Sequence, residues 1–280
     1  MARLKEYNGH YCESEYEYAF IGFLEAEGWK YSSGNNIRRV TKRDVLIVDD
    51  FKKFIADTNP DLTEDEVTQV YDNVRLVGAE SDFATLHKVY GWMVNGVQFT
   101  PQDGLPRMIP LIEFDNWDKN IFRVVNQFTV EYTNNGQKEN RRPDVLLFVN
   151  GMPLCVIELK NPADAWEQIN IRYWRDIPHL LHYCPLACIS DGVKTRLGTV
   201  RTPYEHFYAW RRVNEGDVVS TLPFAETETM IKGVYTPERF VEIFRDYIYF
   251  QDSIYDSDEV EIVCRYPQFF AAKLLKQSIV

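Results

Sequence analysis

The feature that most constrains the fold is a pair of short apolar segments in the middle of the chain. Residues 145–149 read Val-Leu-Leu-Phe-Val, residues 154–157 read Leu-Cys-Val-Ile, and Asn150-Gly151 lies between them. β-Branched residues favour strands and Asn-Gly favours a tight turn, so the two segments predict an antiparallel hairpin. Because nearly every position is apolar, we expect the hairpin to lie in a sheet that is covered on both faces.

Ionisable residues lie at the ends of this apolar hairpin. Asp144 precedes the first segment, and Glu158 and Lys160 follow the second. Burying such groups costs free energy unless they are paired or bind a metal. Side chains alternate between the faces of a strand, so Glu158 and Lys160 share a face. A strict two-residue loop would place Asp144 on the opposite face, so we predict a three-residue loop or a β-bulge that unites the three side chains.

Length and composition set the class of protein. The chain has 280 residues, of which 45% are hydrophobic and 14% aromatic, which suits one large or two ordinary domains. No apolar run reaches the ~18 residues that span a bilayer, and the N-terminus lacks an apolar signal core. The five cysteines form no disulfide-like pattern. We therefore expect a cytoplasmic protein that makes no membrane contact.

The charge distribution limits the kind of partner. A net charge of −11 argues against non-specific coating of nucleic acid, but it does not exclude a local basic groove. Such a groove would exist if the basic clusters of the sequence lie close together around the hairpin in the folded protein. These clusters are Arg38, Arg39, Lys42 and Arg43, then Arg141 and Arg142, Arg172 and Arg175, and Arg211 and Arg212.

The rest of the chain predicts helices around a mixed sheet. A helix over 13–27 ends at Gly28, and three short helices over 41–94 form an inserted layer on one side of the sheet. From residue 145 to residue 190 the order is strand, strand, helix, strand, which indicates an α/β fold. The further elements expected are strands over 122–132, 186–190, 196–200 and 260–264, and helices over 163–176, from residue 236 and over 267–279.

Asp144, Glu158 and Lys160 together suit metal-assisted phosphodiester cleavage. The two carboxylates would hold one or two Mg²⁺ ions, with the backbone carbonyl of Leu159 as a further oxygen ligand. The metal would polarise phosphoryl oxygens and lower the pKa of a bound water, which Lys160 would orient. The alternative is a simple salt bridge between Lys160 and Glu158 at a strand end. No Gly-x-x-x-x-Gly-Lys-Ser/Thr phosphate loop is present, so we expect no ATP hydrolysis by these residues.

The hairpin and its flanks resemble a known family. Arg142-Pro143-Asp144 and the segments 148–154 and 157–162 are similar to the N-terminal nuclease region of type I restriction enzyme R subunits (HsdR), which belong to the PD-(D/E)xK superfamily. The resemblance covers most of the chain and is loosest over 41–94. Further matching segments are 16–29, 126–129, 176–178, 189–192 and 265–271.

The resemblance implies roles for particular residues. Asp144, Glu158 and Lys160 would be the catalytic set, and Glu17 would be the carboxylate of the first helix that supports the site. Gln168 and Tyr173 would be a Gln/Tyr pair on the following helix.

The spacing of that pair departs from the family pattern. The family usually places the two residues four apart, about 40° around a helix, whereas here they are five apart, about 140°. Either a π-bulge restores the shared face, or only one of them reaches the site. Arg172, four residues after Gln168, is the geometric substitute and suits a phosphate contact. The expected DNA-binding residues are Arg142, Arg172 and Arg175.

The resemblance also implies the fold and the function. We expect a restriction-endonuclease-like mixed β-sheet flanked by helices, with a nuclease domain over 1–255, a helical insertion at about 41–95, and a linker from 256–280 toward an absent helicase-like motor.

The activity implied is that of a type I site-specific deoxyribonuclease in a prokaryotic cytoplasm. It would cut double-stranded DNA non-specifically with Mg²⁺ after translocation, would bind ATP only as the full-length protein, and would have methyltransferase and specificity subunits as partners. One alternative is a catalytically silent module that docks the motor onto those subunits. Another is a stand-alone RecB-like repair nuclease.

Overall fold

The computed structural model describes residues 13–78, 80–102, 104–219, 224–251 and 259–279. Its strands are β1 (Lys30–Ser33), β2 (Val97–Phe99), β3 (Arg107–Ile109), β4 (Phe122–Asn126), β5 (Val130–Asn134), β6 (Gln137–Arg141), β7 (Val145–Val149), β8 (Met152–Leu159), β9 (Leu186–Ser190), β10 (Thr195–Thr199), β11 (Ile248–Gln251) and β12 (Val260–Val263).

Helices surround these strands, and a π-helical turn, Gln168–Tyr173, joins two of them, α5 and α6. The helices are α1 (Glu13–Ala26), α2 (Val48–Thr58), α3 (Glu64–Arg75), α4 (Asp82–Asn95), α5 (Pro162–Glu167), α6 (Trp174–Asp176), α7 (Pro178–Leu181), α8 (Ala225–Val234), α9 (Pro237–Asp246) and α10 (Tyr266–Ile279).

A six-stranded mixed sheet forms the centre of the fold. Its strand order is β1-β4-β7-β8-β9-β10, with parallel pairing at β1/β4 and β8/β9 and antiparallel pairing elsewhere. Every residue of β7 and β8 is buried, as a sheet covered on both faces requires. The predicted α/β fold, a restriction-endonuclease-like mixed sheet flanked by helices, is confirmed.

The central hairpin contains the predicted irregularity. Asn150 and Gly151 form a two-residue turn with φ values of 51° and 76°. Near the turn Phe148 pairs with Pro153, but one residue further Leu147 pairs with Cys155, so Leu154 is the extra residue of a β-bulge. Beyond the bulge the register places Asp144 on the same face as Glu158. The bulge alternative is therefore confirmed.

The segment 122–132 is not a single strand, and that prediction was wrong. β4 ends at Asn126, Gln127 has a φ of 55°, and the chain continues into the separate hairpin of β5 and β6. Directly after β4 the backbone passes close to Gly34, where a Cβ atom would lie 2.6 Å from the Phe128 Cα atom. The sequence also failed to indicate β1, whose Lys-Tyr-Ser-Ser sequence has no apolar run, and α8 and β11.

The inserted helical region contains the three helices that the sequence predicted, as α2, α3 and α4. α3 begins with the expected capping box, in which Thr63 N donates to Glu66 Oε2 at 2.9 Å and Glu66 N donates to Thr63 Oγ1 at 3.3 Å. The segment before α2 contacts the central hairpin, because Ile47 N donates to the Gly151 carbonyl at 2.8 Å.

The domain boundary and the membrane-spanning helices are two further points on which the sequence led to an expectation. The expected boundary at 255–256 lies outside them. Among the helices that the structure describes, none has both the length and the apolar character needed to cross a lipid bilayer.

Two Asn-Gly hairpin turns among the described residues, at 135–136 and 150–151, provide a test of the contact between Ile47 and the central hairpin. Gly136 and Gly151 occupy equivalent turn positions with φ values of 78° and 76°, but a Cβ at Gly136 meets nothing within 4 Å, whereas one at Gly151 collides with the Ile47 carbonyl. We expect Gly136→Ala to lower the free energy of unfolding by about 1 kcal/mol, from backbone strain alone. Gly151→Ala should lower it by about 3 kcal/mol, because overpacking is added to that strain.

Urea unfolding monitored by circular dichroism measures both values. Equal losses for the two variants would show that the contact between Ile47 and the hairpin turn is not tight.

Candidate active site

Asp144 and Glu158 meet where β7 begins and β8 ends. Asp144 Oδ2 accepts a hydrogen bond from Leu159 N at 2.7 Å, so the carboxylate extends the pairing of β7 and β8 by one position. This contact depends on the bulge at Leu154, because only the shifted register brings Asp144 opposite the end of β8. The three predicted residues Asp144, Glu158 and Leu159 thus lie together.

Glu158 is a fully buried carboxylate whose two oxygens each have a contact. The Tyr173 hydroxyl donates to Oε1 at 2.5 Å, and Lys160 Nζ lies 2.7 Å from Oε2. Burial, followed by the negative charge of Asp144, raises the pKa of Glu158 to about 8, although Lys160 and Tyr173 act in the opposite direction. Negative charge is therefore unfavourable at this position unless further positive charge is supplied.

The π-helical turn brings Tyr173 to Glu158. In a π-helix the hydrogen bonds join residues five apart, so the side chains of Gln168 and Tyr173 share a face despite their five-residue spacing. Tyr173 is 1% exposed, and burial followed by the charge of Glu158 raises the pKa of its hydroxyl well above the usual value, while Gln168 acts in the opposite direction. The Gln168 Oε1 atom accepts a hydrogen bond from Arg172 Nη1 at 3.3 Å. Of the two alternatives that the spacing left open, the structure has the π-bulge.

Glu17 of α1 lies near Asp144, whose charge acts on it. Asn126 Nδ2 donates to Glu17 Oε1 at 2.6 Å, and Gln127 Nε2 lies 3.5 Å from the same oxygen. Burial raises the pKa of Glu17, the hydrogen bonds oppose the increase, and the nearby Asp144 charge adds to it.

Asn126 and Tyr31 were not identified as site residues from the sequence. The Tyr31 hydroxyl donates to Asn126 Oδ1 at 3.0 Å and so orients the amide that binds Glu17. A polar Asn at the end of the apolar strand β4 is the one sequence signal that would have identified Asn126.

The three arginines predicted to bind DNA have different surroundings. Arg142 is exposed and close enough to Glu17 to lower its pKa. Arg172 Nη2 lies 2.8 Å from Glu167 Oε1, and Arg175 Nε lies 2.7 Å from Asp176 Oδ1. Arg172 and Arg175 thus pair with carboxylates of neighbouring helical residues, and their contact with DNA stays a prediction.

The donor atoms at this corner fit a hard divalent cation. Across the described residues, no group of three or more His, Cys, Asp and Glu side chains is placed to hold a metal. A site here would use Asp144, Glu158, the Leu159 carbonyl and water, which suits Mg²⁺ because this ion binds through one or two carboxylates and retains several waters. The two close carboxylates, one of them buried, are the observation that favours a cation at this position.

The hydrogen bond between Tyr173 and Glu158 can be tested without measuring activity. Tyr173→Phe should lower the free energy of unfolding by about 1–3 kcal/mol, because it leaves a buried carboxylate oxygen without its donor. In a double-mutant cycle with Glu158→Gln, the two residues should show a coupling energy of about 1 kcal/mol or more.

Tyr183→Phe is the matched control, since the Tyr183 hydroxyl donates to the Val74 carbonyl at 2.7 Å. This variant should show no coupling to Glu158→Gln. Additive effects of the Tyr173 and Glu158 substitutions would contradict the contact.

Comparison with known proteins identifies relatives over most of the chain. It is 30% identical to the "Putative type I restriction enzyme MjaIXP endonuclease subunit" of Methanocaldococcus jannaschii, in an alignment that covers 92% of this chain and 27% of the relative. It is 29% identical to the "Type I restriction enzyme HindI endonuclease subunit" of Haemophilus influenzae, over 92% of this chain and 26% of the relative. The chain thus spans about a quarter of the length of these relatives.

The family comparison agrees with these relatives. Residues 11–206 match the model described as "Type I restriction enzyme R protein N terminus (HSDR_N)", which includes every residue of the candidate site. The chain belongs to the family of type I restriction enzyme R protein N-terminal regions.

Proposed function

We propose that this chain is the Mg²⁺-dependent endonuclease region of a type I restriction enzyme R subunit and hydrolyses phosphodiester bonds of double-stranded DNA. The observation that supports this most directly is the convergence of Asp144, Glu158 and Lys160 at one end of the central hairpin. The names of the relatives, which are endonuclease subunits, support the same activity.

The carboxylates would hold the metal ion. Asp144 and Glu158 would bind Mg²⁺ together with the Leu159 carbonyl, and the bound ion would polarise the scissile phosphate and acidify a water molecule. Tyr173 holds one oxygen of Glu158 in place, so that the carboxylate keeps its orientation when the ion leaves or binds. Gln168 would lie on the same face of the π-helical turn as Tyr173 and hold Arg172 through the hydrogen bond from Arg172 Nη1 to Gln168 Oε1.

Lys160 would act on the substrate side. Its side chain is 30% exposed although its ammonium group contacts the buried Glu158, so it lies between the protein interior and solvent. At this position it would orient the attacking water and offset the negative charge that develops on phosphorus.

Glu17 and Arg142 would complete the site. Asn126 holds the Glu17 carboxylate by a hydrogen bond, near enough to Asp144 for the two charges to interact. A cation bound by Asp144 would also be attracted by Glu17. Arg142 is exposed next to these acids and would contact a DNA phosphate, and the same role is proposed for Arg172 and Arg175.

The proposal also concerns the full-length protein. Cleavage without sequence preference after translocation would require an ATP-dependent motor, and recognition would belong to methyltransferase and specificity subunits. The support is that the relatives are named as subunits of type I restriction enzymes and are about four times as long as the matched region. The activity would then be that of a type I site-specific deoxyribonuclease.

Loss of cleavage on removal of Asp144 tests the activity. Asp144→Ala and Lys160→Ala should each reduce Mg²⁺-dependent DNA cleavage by at least about a hundredfold, because each removes a group that acts on the transition state. Cleavage is measured in the full-length subunit assembled with its partners. Asp164→Asn, an exposed acid at the start of α5, is the control and should retain activity.

The same experiment separates the nuclease from a catalytically silent docking module. In the docking alternative the Lys160–Glu158 ion pair is only structural, so Asp144→Ala would leave cleavage unchanged. Loss of cleavage with intact assembly supports the nuclease.

Metal binding can be measured on this chain alone. Mn²⁺ or Mg²⁺ at about 100 times its Kd should stabilise the protein by about 2.7 kcal/mol, because it binds the folded state. Asp144→Asn should remove this stabilisation while Asp164→Asn keeps it. Equal stabilisation of both variants would place the ion elsewhere.

A further inference from the structure

A basic cavity lies away from the candidate active site, where the inserted helices meet α7. Its volume is about 600 Å³, and it is lined by the segment 39–48, by α2 and α3, and by His179 and Tyr183 from the region of α7. The basic cluster at 38–43, which the sequence singled out, contributes Arg39 and Arg43 to its wall. We call this cavity the basic pocket.

Positive charge predominates in the basic pocket. Its cationic residues are Arg39, Arg43, Lys52 and Arg75, and its carboxylates are Asp44 and Asp72. Four positive and two negative side chains leave a formal charge of +2, whereas the whole chain carries −11. A positive cavity on an acidic protein attracts anions selectively to that place.

The two carboxylates neutralise this charge only in part. Arg75 lies 3.7 Å from Asp44 Oδ1 and 3.5 Å from Asp72 Oδ1, and both distances are longer than a charged hydrogen bond. Asp44 Oδ2 is already bonded to Thr41 N at 2.8 Å.

Within the described residues, the other three cations of the basic pocket form no salt bridge with a carboxylate, although the charges of Asp44 and Glu131 act on Arg39. Lys52 Nζ donates to Thr68 Oγ1 at 2.8 Å, and Arg39 donates to the Asp44 backbone carbonyl at 3.2 Å. Arg43 and Lys52 pair with no carboxylate in the described part of the chain. A bound anion would offset the net positive charge that the two carboxylates of the basic pocket leave.

His179 adds a polar group to the wall of the basic pocket. Its Nε2 atom is buried and has no hydrogen-bond partner among the described residues. Burial, followed by the charge of Arg43, lowers the pKa of His179 to about 4, so the ring is neutral at neutral pH. A neutral imidazole can donate one hydrogen bond to an anion.

We propose that the basic pocket binds a phosphate group, at a site separate from Asp144 and Glu158. Guanidinium groups match the oxygen geometry of phosphate, and three of the four cations are arginines. The phosphate belongs either to the DNA backbone or to a free phosphate compound. The position of Arg39 favours the DNA backbone as the source. Arg39 lies 3.9 Å above the ring of Phe128, and Phe128 is two residues from Asn126, which contacts Glu17 of the candidate active site.

Binding of two probes without Mg²⁺ tests the proposal and its source. Pyrophosphate is followed by calorimetry and a 20-base-pair DNA duplex by fluorescence anisotropy, at several salt concentrations. Arg43→Glu and Lys52→Gln should each weaken binding roughly tenfold, as expected for loss of a charged hydrogen bond. Lys52→Gln should also reduce the slope of log affinity against log salt for DNA by about 1.

Arg38→Glu is the matched control. Arg38 is an exposed arginine in the same segment that does not line the basic pocket, so the variant makes the same charge change as Arg43→Glu. It should weaken binding less than about twofold, and thermal melts of all variants verify that they fold.

The pattern of losses decides the outcome. If Arg43→Glu and Lys52→Gln weaken DNA binding, whether or not they also weaken pyrophosphate binding, the result supports a phosphate of the DNA backbone. If they weaken pyrophosphate binding only, the result supports a free phosphate compound. The proposal is overturned if neither probe binds, or if Arg43→Glu and Arg38→Glu have the same effect on both. The Asp144→Asn variant should bind pyrophosphate as the unmodified protein does. Failure of the nuclease proposal can therefore be distinguished from failure of the phosphate-binding proposal.

Discussion

One extra residue in β8 brings Asp144 and Glu158 to the same face of the sheet. Without the bulge at Leu154, the two-residue turn at Asn150-Gly151 would direct Asp144 to the face opposite Glu158. The bulge shifts the register by one residue in the part of the hairpin that lies away from the turn, and the tight turn itself is unchanged. The π-helical turn after α5 does the same for a helix, because one added residue brings Tyr173 onto the face that contacts Glu158. Two local irregularities thus assemble one site.

The site is held at an electrostatic cost. Glu158 is completely buried, and the neighbouring Asp144 adds to the effect of burial on its pKa. Tyr173 and Lys160 offset this cost only partly. A protein under selection for stability alone would place an apolar residue at this strand end, since β8 is otherwise apolar. A cation bound as proposed above would stabilise both charges.

The sequence predicted the parts of the fold that follow from local periodicity. An extra residue in the hairpin was needed to bring Asp144 and Glu158 to one face, and the structure has a β-bulge there. The five-residue spacing of Gln168 and Tyr173 allowed a π-bulge, and the structure has a π-helical turn. β1 was missed because a parallel strand with polar residues takes its stability from β4, 90 residues away in the chain. The end of β4 depends on the crossing with Gly34, and the Asn126–Glu17 contact spans 109 residues. Such long-range contacts leave no pattern in a single sequence.

The inserted region contributes to both ends of the central hairpin. At one end Ile47 N binds the Gly151 carbonyl of the turn, and at the other Arg39 packs on Phe128 close to the strand end that carries Asn126. Six of the seven residues between these contacts, all except Lys42, also line the basic pocket. A ligand in that pocket would therefore contact the same segment that contacts the hairpin turn and Phe128. The segment 39–47 is thus joined by direct contacts to the hairpin turn and to Phe128, although it supplies none of the carboxylates of the candidate site.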